Sequence, residues 1–153
     1  MQKLRLSEYD TVQFTSMVRR IKLFANMQMG LLEKILAWVS LCRYKKGEKI
    51  CRQGETGDSY FVVYEGRVSV TVRKWLLFSR RVAVLGPGDC FGEMALLRQA
   101  PRNATVTCLE ETRVFVLLAE HFHDALKGNA AFAEEIKKLA LEREFEDKCG
   151  YHV

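Results

Sequence analysis

Between residues 44 and 118 the chain changes character every few residues, which leaves room for little but short strands. Runs rich in Val, Tyr, Phe and Thr are cut by turn signals at Lys46-Gly47-Glu48, residues 54–58, Glu65-Gly66 and Gly86-Pro87-Gly88-Asp89. Pro fixes φ and Gly admits positive φ, so these clusters stop a strand for a stated reason. Residues 67–73 alternate cleanly, with Val68, Val70 and Val72 on one face and Arg67, Ser69, Thr71 and Arg73 on the other. Residues 60–64 read as an apolar strand leading to a hairpin turn at Glu65-Gly66. Residues 82–85, 104–109 and 114–118 complete the set, and 75–78 is either a strand end or an exposed hairpin tip. Many short antiparallel strands without long helices between them predict a mainly β fold, either a β-barrel or a jelly-roll-like antiparallel β-roll. No internal repeat is visible.

Helices flank this region. Residues 1–15 read as a loose or helical lead-in, and Phe14, Val18, Ile21, Leu23 and Phe24 follow helical spacing. Leu31, Leu32, Ile35, Leu36 and Val39 fit one face of a helix that begins just after Gly30. Beyond residue 118 the helical pattern returns. Gly128 reads as a C-cap dividing a helix over 120–127 from a longer one over 130–148, whose stripe is Phe132, Ile136 and Leu139. Such a stripe is ordinarily core packing.

Composition narrows the function classes. A chain of 153 residues, 48% hydrophobic and 28% charged, is one globular domain by default. The net charge of +5 is mild and its basic residues alternate with acids, which argues against a nucleic-acid role. Nothing after Lys148 is long enough for a helix-turn-helix. The five cysteines, Cys42, Cys51, Cys90, Cys108 and Cys149, form no CxxC pair, so reduced thiols and a cytoplasmic setting are expected. The polar N-terminus is not a signal peptide, and the longest apolar run, 31–41, is interrupted by Glu33 and Lys34, so no membrane span is expected. The histidines, His121, His123 and His152, all fall outside the expected roll, which speaks against a metal-dependent enzyme built on it. No GxxxxGK[ST] motif and no Ser/His/Asp arrangement is present.

The chemistry concentrates in residues 86–106, GPGDCFGEMALLRQAPRNATV. After the turn at 86–89, residues 91–97 read as the start of a short helix. Gly92 lets a ligand approach the backbone, and helix N-terminal amides favour an anion. Pro101 ends the segment, Arg102 supplies a cation able to take phosphate oxygens in two-pronged fashion, and a strand follows over 103–110. Glu93 would be repelled by phosphate, so its partner is a sugar hydroxyl. One well-placed Arg with no nearby Lys suits a singly charged phosphodiester better than a triphosphate.

FGEMALL followed by PRNATV resembles the phosphate-binding cassette of the cyclic nucleotide-binding domain family, which includes protein kinase A regulatory subunits, cyclic nucleotide-gated channels and catabolite activator proteins. The resemblance covers residues 18–143 and includes GDSYFVVYEGRVSV upstream. It implies a domain over 18–148 between a lead-in, 1–17, and a tail, 149–153. It implies Glu93 as acceptor for the ribose hydroxyl and Arg102 as partner of the cyclic phosphate. Gly92, Met94 and Ala95 are implied as backbone or wall contacts, with Phe91, Ala104 and Ala83 completing the pocket. Asn103 stands where the family often has Ala, Ser or Thr, and the lack of Thr implies cAMP over cGMP. The last helix with Arg143 is implied as a lid over the base. The expected protein is thus a regulatory module without catalysis of its own, with cAMP or cGMP as ligand and no cofactor or metal. It would control an effector domain or protein lying outside this chain. The competing expectation is a protein-interaction module of the same fold that no longer binds nucleotide.

Overall fold

The computed structural model describes residues 1–21, 23–74, 78–97 and 100–149. Its elements run β1 (Gln2–Leu4), α1 (Glu8–Val18), α2 (Met29–Leu36), β2 (Ser40–Tyr44), β3 (Lys49–Cys51), β4 (Ser59–Glu65) and β5 (Val68–Lys74). They continue with β6 (Phe78–Leu85), β7 (Cys90–Phe91), α3 (Met94–Leu97), β8 (Thr105–Cys108), β9 (Thr112–Leu118), α4 (Ala119–Leu126) and α5 (Ala130–Cys149). The strands form a five-stranded sheet, β1-β2-β9-β4-β7, and a four-stranded sheet, β3-β8-β5-β6, with every pair antiparallel. This is the expected β-roll with helices at both ends.

The five-stranded sheet is the middle layer. Tyr60, Val62 and Tyr64 of β4 face a cluster built with the helices, including Phe14, Phe24, Leu32 and Phe122. Phe61 and Val63, the intervening residues, face a second cluster with Val68 and Val70 of β5 and Val106 of β8. β9 divides the same way, Phe115 and Leu117 to the helices and Val114 to the other sheet. A strand buried on both faces needs a continuous apolar run, and the alternation of β5 belongs to a strand with one buried face.

Four expectations are corrected. Glu65-Gly66 is not a hairpin turn: β4 lies in one sheet and β5 in the other, and the turn carries the chain across between them. Both edges of β4 are taken by β9 and β7, so β5 has no place beside it. Gly66 has φ +96°, and a Cβ there would stand 2.5 Å from Thr112 Oγ1 and 2.6 Å from the Glu111 carbonyl oxygen. Second, Phe91 is not helical; it pairs with Phe61, their rings stacked 4.8 Å apart, and α3 starts only at Met94. Third, Gly30 lies inside α2, where an early helical position tolerates it. Fourth, the lead-in, expected loose or helical, also holds a strand, β1, paired to β2; the helical part stands as most of α1, whose Phe14 is in the core. Trp75, from the expected strand end or hairpin tip, lies outside the described residues, as do Leu76 and Leu77.

Elsewhere the expected breaks hold. Gly128, at φ +95°, separates α4 from α5. Phe132 and Ile136 are buried against the helical cluster, and Leu139 packs on it. Among the described residues no helix is long and apolar enough to cross a membrane.

α1 is anchored by a capping box. The Asp10 N–H donates to Ser7 Oγ at 3.1 Å, and the Ser7 N–H donates to Asp10 Oδ2 at 2.9 Å. The Ser7 hydroxyl and then its backbone N–H hold the Asp10 carboxyl below its ordinary value. A lowered folded-state value means that this stability is full above the ordinary carboxylate range and is lost as pH falls through the depressed value. Asp10→Asn is therefore expected to cost about 1 kcal/mol at neutral pH, the difference between a charge-assisted and a neutral hydrogen bond. Urea unfolding at stepwise lower pH should bring parent and variant together; a gap unchanged in acid would show that the charge contributes nothing.

Candidate functional site

The approach to the cassette is stitched to β4. The Asp89 N–H donates to the Gly86 carbonyl at 3.0 Å, and Gly88 at φ +88° gives the turn its type II form. The Gly86 N–H donates to Asp89 Oδ2 at 2.9 Å. Val63 exchanges bonds with this turn, its N–H to the Asp89 carbonyl and its carbonyl from the Gly88 N–H, each at 2.8 Å. β7 continues the pairing, and Gly92, at φ +81°, then turns the chain out of the sheet into α3. With four residues, α3 has few aligned amides, so a cation must supply most of the attraction for an anion.

That cation is Arg102. Its backbone N–H donates to the Glu55 carbonyl at 2.7 Å, its carbonyl accepts from the Gly54 N–H at 2.8 Å, and the preceding Pro101 bridges to Thr56. Its side chain is half-buried. One Nη2–H donates to the Ser59 carbonyl at 2.7 Å, and the guanidinium carbon stands 5.6 Å from the centre of the Phe61 ring. A Cβ at Gly57 would be 3.3 Å from that carbon, and a Cβ at Gly92 would be 2.6 Å from Nη1 and 2.8 Å from the Ser59 oxygen. Two glycines thus leave a slot that the guanidinium fills. Among the described residues Arg102 has no carboxylate partner. Burial pushes the Cys51 thiol up, and the positive charge of Arg102 acts against that rise.

Of the other expected site residues, Gly92 borders this slot, and the rest lie in differing surroundings. Phe91 and Ala104 are buried in the apolar cluster that contains Phe61, and Ala83 packs against it. Ala95 is buried, Met94 is half-buried and Asn103 is exposed. Glu93 follows Gly92 directly and lines a cleft of about 340 Å³ together with Arg20, Ile21, Leu85 and Asp89. Arg143 is on α5, but its side chain lies outside the described residues. Gly57, Ser59 and Phe61 were not singled out from the sequence. The run GDSYF held a usable signal only for Gly57, since a backbone carbonyl and a ring face cannot be read from residue type.

The cassette is tied to the C-terminal helices. The imidazole Nε2 of His123, on α4, lies 2.7 Å from the Leu96 carbonyl oxygen in α3. Leu96 is fully buried in the cluster that also holds Phe122, Phe132 and Ile136. The Ala119 N–H, at the start of α4, donates to the Asp58 carbonyl at 2.8 Å.

A family model described as "Cyclic nucleotide-binding domain" matches residues 41–129. The chain is 35% identical over 134 residues to a cyclic nucleotide-gated potassium channel of Rhizobium etli, covering 88% of this chain and 36% of that protein. It is 35% identical over 95 residues to a cGMP-dependent protein kinase of Caenorhabditis briggsae, 61% of this chain and 13% of the kinase. Among solved structures, the regulatory domain of Toxoplasma gondii PKA co-crystallised with cAMP superposes with a TM-score of 0.74 at 28% identity, over 83% of this chain and 48% of that one. The chain therefore spans about a third of the length of the channel it matches.

Gly92→Ala should be poorly tolerated, because the positive φ and the contact with the Ser59 carbonyl cannot both be relieved by a side-chain movement. A loss of about 1–3 kcal/mol in denaturant unfolding is expected. Unchanged stability would mean that the slot around Arg102 is looser than these distances require.

Proposed function

This chain belongs to the cyclic nucleotide-binding domain family, and from that premise we propose that it is a regulatory module that binds a cyclic nucleotide, cAMP in preference to cGMP. Arg102 takes the cyclic phosphate and Glu93 accepts from the ribose hydroxyl. The backbone at Gly92 makes a close contact, while Ala95, whose N–H donates to the Gly92 carbonyl at 3.0 Å, walls the pocket with Phe91, Met94, Ala83 and Ala104. Asn103 lies at its edge, and α5, the helix that carries Arg143, is the lid over the base. The observation that carries this reading is the state of Arg102: a half-buried guanidinium, slotted between two glycines, with no carboxylate partner among the described residues. A charge so placed gains strongly from an anion that replaces lost water. The preference for cAMP rests on Asn103 standing where a Thr hydroxyl would serve cGMP.

The bound state is signalled through α4 and α5. Drawing α3 inward moves the Leu96 carbonyl, which His123 holds to α4, and α5 follows because it packs on the same cluster. Such a shift requires the ligand to bind one arrangement more tightly than the other. The similarity to a gated channel and to a kinase supports an effector in another part of a longer protein.

Titration calorimetry on protein freed of co-purified nucleotide should show cAMP binding more tightly than cGMP. Arg102→Ala should weaken binding on the order of 10- to 150-fold, from roughly 1.5–3 kcal/mol of charge-assisted bonding. Arg102→Lys should recover part of this, since an ammonium lacks the planar fork. No heat with either nucleotide would leave a protein-interaction module of the same fold, and full affinity in Arg102→Ala would move the phosphate site elsewhere.

Hydrogen exchange tests the signalling step. Ligand should raise amide protection across α5, whose first turns hold Phe132 and Ile136 on the core. Confirmed binding with unchanged protection over α5 would remove the lid from the mechanism.

A further inference from the structure

The end of the four-stranded sheet where β5 meets β6 is cationic and carries an exposed aromatic ring. Register pairs Lys74 with Phe78, Arg73 with Ser79, Val72 with Arg80 and Thr71 with Arg81. Phe78 is 72% exposed, and Arg73, Lys74, Arg80 and Arg81 are all exposed. Among the described residues Arg73, Arg80 and Arg81 have no carboxylate partner.

Two cavities meet at this end and share Ser79. One, of about 760 Å³, is polar: Lys49, Arg52 and Arg73 line it with the hydroxyls of Thr71, Ser79 and Thr105. Gln53 braces its floor, its side-chain amide donating to the Arg73 carbonyl at 3.0 Å and accepting from the Arg73 N–H at 2.7 Å. Among the described residues the only carboxylate paired to its cations is Glu55, 4.0 Å from Arg52 in an exposed pair. The other cavity, of about 230 Å³, is walled by Val72, Phe78 and Val82 with Lys74, Ser79 and Arg80. Strand alternation puts Arg73, Ser79 and Arg81 on one face of the β5–β6 ribbon and Lys74, Phe78 and Arg80 on the other, so cations flank the unburied ring from both faces of the ribbon end.

We propose that this end of the sheet is a peripheral docking surface for an anionic phospholipid membrane, with Phe78 entering the interface and Arg73, Arg80 and Arg81 meeting the headgroup phosphates. The cations alone would suit any polyanion. The exposed ring and the apolar slot beside it favour a lipid surface, which offers charge and hydrocarbon at one depth. Arg102 and Glu93 are not among the residues that line these two cavities, and the proposal does not rest on the nucleotide reading.

The test is co-sedimentation of the 153-residue chain with vesicles of phosphatidylcholine alone and of phosphatidylcholine mixed with phosphatidylserine in equal parts. Binding is expected only to the mixed vesicles and should weaken with added salt. Arg80→Ala with Arg81→Ala should reduce the partition on the order of 25-fold, about fivefold per cation. Phe78→Ser, at an exposed position that leaves the fold intact, should reduce it about tenfold or more. Circular dichroism and calorimetric cAMP titration should match the parent for both variants. No sedimentation with mixed vesicles, or equal sedimentation with phosphatidylcholine alone, overturns the proposal. So does a loss confined to the arginine variant together with equally tight binding of free inositol hexakisphosphate, which would make the surface a soluble-anion site.

Discussion

One guanidinium links three stretches of chain that are far apart in sequence. Arg102 arrives on the segment after Pro101, donates to the carbonyl of Ser59 at the start of β4, and fills space that Gly57 and Gly92 leave open. Its backbone is fixed by Glu55 and Gly54. Removing a guanidinium from water is costly unless hydrogen bonds replace the hydration, and the Ser59 carbonyl replaces only part of it. The same shortfall that makes the slot expensive in the free protein makes it receptive to an anion. The glycines, the turn at 86–89 and the pairing of β7 on β4 are the scaffold that holds this charge in place.

In the proposed mechanism, the layer order is what relates an event at that slot to the helices. β4 presents Phe61 to the roll interior beneath Arg102 and Tyr60 and Val62 to the helical cluster on its other face. α3 belongs to the helical side through Leu96, whose carbonyl meets His123. Close-packed interiors do not deform smoothly, so a displacement of α3 has few places to go except into α4 and α5.

Much of this was legible from residue order. The turn at 86–89, the alternation of β5, the double-sided apolar run of β4 and the break at Gly128 each have a local physical cause, and each stands in the structure. The stretch 86–106 stood out because Gly92, Glu93, Pro101 and Arg102 combine backbone freedom, charge and chain reversal within a few positions, and its role toward a ligand is the proposed one. What was hidden depends on distant partners. Glu65-Gly66 has the chemistry of a hairpin turn, and only the occupancy of both β4 edges sends β5 to the other sheet. β1 is three residues with no alternation to read, and exists because β2 offers it an edge. Phe91 joins a strand because Phe61 stands opposite it, although its sequence neighbours favour a helix.

The strand order has a consequence for how such a chain is made. In the five-stranded sheet the central position belongs to β9, the last strand of the described chain, with β2 on one side and β4 on the other. On a ribosome, β1, β2 and β4 emerge well before the strand that joins them, and each waits with an open edge. The four-stranded sheet is different, since β5 and β6 are neighbours in sequence and can pair at once. Synthesis therefore passes through a stage in which one sheet is begun and the other has no centre. That interval, which closes when residue 118 clears the exit tunnel, is when the apolar run of β4 is most exposed to other chains.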